Sequence, residues 1–201
     1  QDGNFSYDSL ITRVNADLAN GLGNLASRTL TMIRQYRGGQ IPTSQGSAEI
    51  SSAATQAIAS YQASFENYEF HRALESLWGL IGTVDKAIVA YQPWTLAKKD
   101  HPEPQAQLDE ILYSAAEVIR IATALLHPVM PEATRAIWTQ LGMPEPIEAT
   151  RLDQLEWGQL NAGQAIGEIA PVFPRLDAAK VIDRIQEIDD QEVDRINVLL
   201  G

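Results

Sequence analysis

The chain of 201 residues contains no cysteine, which excludes disulfides and thiolate metal centres outright. Its three histidines, His71, His101 and His127, are far apart and lack carboxylates at metal-ligand spacing. Each is read as structural, and no metal or cofactor is expected in these residues. Long apolar runs are missing too. No stretch approaches the ~20 residues of a membrane span, and the N-terminal stretch lacks a basic segment followed by an apolar one. The expected location is therefore cytoplasmic, with no membrane partner, and the Asn4-Phe5-Ser6 sequon carries no meaning there. Basic charge is scarce. Fifteen Lys and Arg stand against 26 Asp and Glu, for a net charge of −11, which opposes nonspecific binding to DNA or RNA.

What is present is an apolar content of 45%, enough for one globular domain with a sizeable core. Its periodicity is helical throughout. A first helix of about thirty residues is expected from Ser6 or Asp8 to Arg37, ended by Gly38-Gly39. Its apolar positions are 10, 14, 18, 22, 25 and 32. Gly21 and Gly23 weaken it by roughly 1 kcal/mol each, which suggests close approach of another element or of a ligand. Further helices are expected over about 48–67, 68–91, 105–126, 131–141 and 178–200. Phe70, Leu74, Leu77, Ile81, Val84 and Ile88 line the inner face of the third. His101-Pro102-Glu103-Pro104 reads as a linker, and 144–177 as an irregular stretch. The last helix has an acidic outer face and is expected to pack on the bundle through its isoleucines. No strand pattern appears. The expected fold is all-α, an antiparallel helical bundle over 1–143 with an irregular segment and a C-terminal helix over 144–201.

Charge is unevenly spread. Residues 1–37 carry four arginines against three aspartates, whereas residues 177–201 carry seven acids against three bases. On an ideal helix of about 100° per residue, Arg13, Asp17, Asn20, Asn24 and Arg28 form one narrow strip. Leu18, Leu22, Leu25, Thr29, Met32 and Tyr36 lie roughly opposite. Asparagine is a mediocre helix former, so two of them one turn apart, followed one turn on by arginine, suggest a surface offering donors and acceptors together. That suits the edge of an unpaired base. The bland alternative is a solvated helix face. Trp94 after Pro93 is either a core anchor or a rigid stacking platform. Lys98 and Lys99 are either phosphate contacts or a charged helix end. Arg13 has Asp17 at i+4 to pair with. Trp78, Trp138 and Trp157 are expected in the core.

These features together resemble the anticodon-binding domain of methionyl-tRNA synthetases, which are class I aminoacyl-tRNA synthetases. The landmarks run in order: Asp2-Gly3-Asn4-Phe5-Ser6, the Asn15-to-Arg28 segment, Pro93-Trp94-Thr95-Leu96-Ala97-Lys98, Leu125 to Pro131, and Phe173-Pro174-Arg175-Leu176-Asp177. The resemblance implies that Asn20, Asn24 and Arg28 discriminate cytosine at the first anticodon position, and that Pro93 and Trp94 contact the anticodon bases. It implies binding of tRNA-Met through its CAU anticodon. It also implies a catalytic domain in the same polypeptide, whose HIGH-like and KMSKS-like signatures do not occur here. The whole enzyme would be a methionine-tRNA ligase, with ATP–magnesium, and zinc as a further candidate, serving that absent half. The chain itself is then a noncatalytic C-terminal fragment. Two other readings compete: a helical protein-interaction module, and the tail of a valine, isoleucine or leucine enzyme. The Pro93-Trp94 match argues against the last.

Overall fold

The computed structural model describes residues 6–200, apart from the side chains at positions 194 and 196–200. Residues 2–5 of the first landmark, the sequon's asparagine among them, lie outside the described residues. So do the side chains of Ile196 and Leu199.

Helices are the only regular elements among the described residues besides one isolated antiparallel bridge between Gln40 and Ala165. In order come α1 (Tyr7–Arg13), a π-helical segment (Val14–Gly23), α2 (Asn24–Arg37), α3 (Ala48–Glu66) and α4 (Phe70–Tyr91). After these come α5 (Pro93–Leu96), α6 (Pro102–Leu126), α7 (Pro131–Gln140) and α8 (Ala178–Leu200).

α6 is the centre of the molecule. It is buried on nearly every side from Ile111 to Leu126, as its almost continuous apolar sequence requires. α2, α3, α4, α5 and α7 all pack against it. Tyr61 of α3 donates its hydroxyl to the Leu125 carbonyl at 2.6 Å, and burial pushes its pKa up to about 12. The stretch expected as a linker begins this helix instead. Pro102 and Pro104 occupy its first turn, where a missing N–H costs nothing.

The first helix differs most from expectation. Residues 14–23 are wound as a π-helix, and the helix kinks at Gly21, which departs from helical geometry (φ −85°, ψ −106°). The 100° wheel holds past that point and fails before it. Leu22, Leu25, Thr29 and Met32 are buried as the wheel predicts, whereas Leu10 is 49% exposed. Both glycines do face another element: a Cβ on Gly23 would lie 3.1 Å from the Phe173 ring, and one on Gly21 would lie 3.8 Å from Trp78 Nε1. Phe70, expected on the inner face of α4, is about half exposed and packs edge-on against Phe65. It is the first residue of α4, two residues after Tyr68, which takes a left-handed φ of 61°.

Residues 144–177 form a strap over α6 rather than a free loop. It is tied to residues 39–41 by the bonds Ile41 N to Gln164 O and Ile166 N to Gly39 O, both 2.9 Å. Its deepest anchor is ionic. Glu117 and Arg120 of α6, fully buried, form a bidentate pair at 2.7 and 2.8 Å. Glu117 also accepts from the backbone N–H groups of Gly158 and Gln159, while Arg120 donates to the Glu156 carbonyl. α8 touches the bundle along α1. Its isoleucine stripe does not close onto the core, since Ile188 is 50% and Val193 56% exposed.

Candidate nucleic-acid interface

The expected site residues come from two elements far apart in sequence. α2 carries Asn24 and Arg28 one turn apart. Arg28 lies partly buried because its neighbours Ala26, Thr29 and Leu30 face the core. α4 ends at Gln92, which adopts a left-handed conformation (φ 49°). That reversal lets Pro93 start α5 at its first position, buried, with Thr95 N donating to the Gln92 carbonyl at 2.7 Å. Gln105 Nε2 clamps the far end of the turn by donating to the Lys99 carbonyl. The consequence is a fixed indole. Trp94 stands 40% exposed beside buried Pro93 and Leu96.

Arg28 and Trp94 meet. The guanidinium carbon of Arg28 lies 5.3 Å from the centroid of the Trp94 ring, within cation–π range. Trp94 is therefore a surface platform and not a core anchor. Asn24 is exposed one turn before Arg28. Asn20 is also exposed, but it lies in the π segment across the Gly21 break. Neither amide makes a hydrogen bond among the described residues. Asn15 contrasts with both, since its amide is spent on the Leu176 backbone, accepting from N at 2.8 Å and donating to O at 2.9 Å.

The π winding divides the expected strip. Arg13 and Asp17 pair at 2.9 Å at the rim of a separate cavity of about 430 Å3. That cavity lies between the π segment, the first half of α4 (His71, Leu74, Glu75, Trp78) and the end of α6. The buried Nε1 of Trp78 has no hydrogen-bond partner. Trp138 is buried in the core as expected and donates to the Glu145 carbonyl. Trp157 is partly buried, donating to the Gln45 carbonyl and packing edge-on against Tyr113. Lys98 lines a second, polar hollow of about 420 Å3 with Tyr36, Arg37, Asp100 and Gln105.

One carboxylate that feels the charge of Arg28 was not singled out from the sequence. Asp85 of α4 is partly buried, and burial raises its carboxyl above the usual value, with the charge of Arg28 pulling the other way. Its place on α4, next to buried Val84, is that of any acid on the edge of a solvated face.

No helix among the described residues is long and apolar enough to cross a membrane. Residues 47–190 match the family model described as the anticodon-binding domain of tRNA ligase. A methionine–tRNA ligase of Streptomyces coelicolor is 37% identical over 187 residues, covering 88% of this chain and 35% of its own length. One from Lactococcus lactis is 36% identical, covering 92% of this chain and 28% of itself. Among solved structures, the free form of Mycobacterium tuberculosis methionyl-tRNA synthetase superposes with a TM-score of 0.77 at 34% identity. The match covers 88% of this chain and 36% of that one. The same enzyme bound by methionyl-adenylate gives 0.79. The chain thus spans about a third of the length of these relatives. A helical bundle that exposes an indole beside an arginine, matched by that family model over most of its length, belongs to the anticodon-binding domains of tRNA ligases.

Proposed function

We propose that this chain reads the CAU anticodon of tRNA-Met for a methionine-tRNA ligase. A catalytic domain in the same polypeptide would attach methionine in an ATP-dependent reaction. The observation that carries this is the Arg28–Trp94 contact. A base stacking on the exposed indole presents its Watson–Crick edge to a guanidinium already held at the ring. The free amide of Asn24 lies one turn before Arg28 on α2, and that of Asn20 lies across the Gly21 break. Such edges are what single-stranded RNA readers use, and one stacked base is worth about 1–3 kcal/mol. A wrong base leaves these donors unpaired, costing about 1–3 kcal/mol per group. Lys98, on the turn that follows Trp94, is the candidate phosphate contact.

The test is binding of anticodon stem-loop hairpins to the chain. A CAU hairpin should bind more tightly than one with a substituted anticodon, and Trp94→Ala should weaken it at least tenfold. In the full-length ligase the same substitution should lower kcat/KM for tRNA while leaving methionine adenylation unchanged. Equal loss of both activities would mean a folding defect and defeat the assignment. The exposed Ile188 and Val193 of α8 favour a second reading, a helical protein-interaction surface. A chain indifferent to anticodon sequence would favour it.

A further inference from the structure

The Trp94 platform and the polar hollow lie on one track, where α2 and the turn over 93–100 meet at both ends. At one end Arg28 stands 5.3 Å from the centroid of the Trp94 ring. At the other, Gln35, Tyr36 and Arg37 line the hollow of about 420 Å3 together with Lys98 and Asp100. Arg28 and Gln35 are two turns apart on an unbroken α-helix, on one face and about 10.5 Å apart along its axis. Trp94 and Lys98 are four residues apart on the turn. A single strand that stacks one base on the indole and continues along α2 brings its adjoining nucleotide to the hollow.

The floor of the hollow is fixed and its rim is free. Arg37 spends most of its donors on the Asp109 carboxylate, the Tyr36 and Gln105 carbonyls and the Gln105 side chain. Gln105 in turn donates to the Lys99 carbonyl at 2.7 Å, which ties α6 to the turn. The side chains of Lys98, Asp100, Tyr36 and Gln35 make no hydrogen bond or ion pair among the described residues.

Charge sorts what this rim can hold. Asp109 neutralises Arg37, so the hollow carries one free cation and one free anion. A bare phosphate would meet the carboxylate as well as the ammonium, and a neutral base edge would leave the ammonium without an anion. One nucleotide of RNA satisfies both, because phosphate and ribose 2′-hydroxyl alternate along the strand. Lys98 and Asp100 are two residues apart, a chain span of at most about 7 Å, the scale of one sugar–phosphate unit. Carboxylates hold the ribose 2′-hydroxyl in dinucleotide sites, and that hydroxyl is what separates RNA from DNA.

We propose that the hollow is a ribose–phosphate subsite. Asp100 accepts a hydrogen bond from the 2′-hydroxyl of the nucleotide next to the stacked base, and Lys98 pairs with its phosphate. The subsite makes the interface selective for RNA over DNA without reading sequence. This deepens the anticodon reading and rests on it.

The experiment uses the whole chain and CAU hairpins altered at one loop sugar at a time, from 2′-hydroxyl to 2′-hydrogen or 2′-fluorine. Fluorine keeps the RNA sugar pucker but cannot donate. One position beside the stacked base should lose about tenfold in affinity with either change. In Asp100→Ala that position should tolerate both changes within about twofold, while the other positions respond as in the wild-type chain. Asp100→Asn keeps an acceptor oxygen without the charge, so its loss there should fall to about threefold. Lys98→Ala should weaken every hairpin and leave the sensitivity in place. Sensitivity to hydrogen but not to fluorine reports pucker alone and overturns the proposal, as does a position that stays sensitive in Asp100→Ala. Should Asp100→Ala fail to fold by circular dichroism, an undiminished loss in Asp100→Asn overturns it instead. A wild-type chain that prefers CAU yet has no sensitive position loses the subsite alone. One indifferent to the anticodon loses both readings.

Discussion

At the scale of single residues, the interface combines groups that are costly to leave unpaired. Arg28 lies over an indole at cation–π distance, and a guanidinium is planar with donors along its edge. Lysine keeps the charge but not the plane. Arg28→Lys should therefore retain overall affinity for a CAU hairpin within about threefold while losing most discrimination at the first base, as measured by anisotropy against the uracil variant. Asn24→Ala should relax the same discrimination. Asp85 allows a prediction about stability. Burial favours its protonated form in the folded chain, outweighing the charge of Arg28. Its contribution to stability is then full below the ordinary carboxylate range and declines as pH rises through the raised value. Asp85→Asn removes that decline. Near pH 7 the variant should melt higher by about 2 °C, and the gain should vanish in acid; a lower Tm at pH 7 would contradict the sign. Asn24, Arg28 and Trp94 were legible in the sequence because helical spacing and a Pro-Trp pair mark them. Asp85 was not. Its period on α4 is that of any solvated acid, and what distinguishes it is a cation from another helix.

At the scale of elements, the helices were legible and their winding was not. Apolar spacing gave α3, α4, α6, α7 and α8 to within a few residues, since burial of one face fixes the period. The π segment escaped because Val14 to Gly23 reads as an ordinary amphipathic turn. Only Trp78, packed at Gly21 from another helix, gives a reason for a break there. Prolines 102 and 104 misled in the other direction, since an opening helical turn tolerates what a helix interior does not. The central element hides another feature, the Glu117–Arg120 pair, which spacing alone would assign to a solvated face. Removing one partner strands the other charge in the core. Glu117→Ala should cost about 3–5 kcal/mol, seen in urea unfolding as a fall in midpoint. A loss under about 1 kcal/mol would mean that water or a neighbour replaces the carboxylate. The same substitution releases the strap at Gly158 and Gln159, so those two amides should exchange hydrogen faster than in the wild-type chain.

At the scale of the molecule, a chain with a net charge of −11 binds RNA against its own field if the anticodon reading is right. The positive balance is confined to the first 37 residues, and the acids of α8 extend from the opposite end of the sequence. Recognition must then come from stacking and fitted hydrogen bonds, not from counterion release. This has a measurable form. For single-stranded RNA the logarithm of affinity falls with the logarithm of salt at a slope of about −0.7 per neutralised phosphate. With Lys98 and one or two other cations in reach, the slope for the CAU hairpin should be no steeper than about −2. A basic groove would give a far steeper one. Lys98→Ala should flatten it by roughly 0.7 without altering the preference for cytosine over uracil, because a phosphate contact carries no base information. Trp94→Ala should do the reverse, lowering affinity at every salt concentration with the slope unchanged. A slope of −4 or steeper would show that phosphate neutralisation dominates, and the account built on Asn24, Arg28 and Trp94 would then fail as the main source of binding.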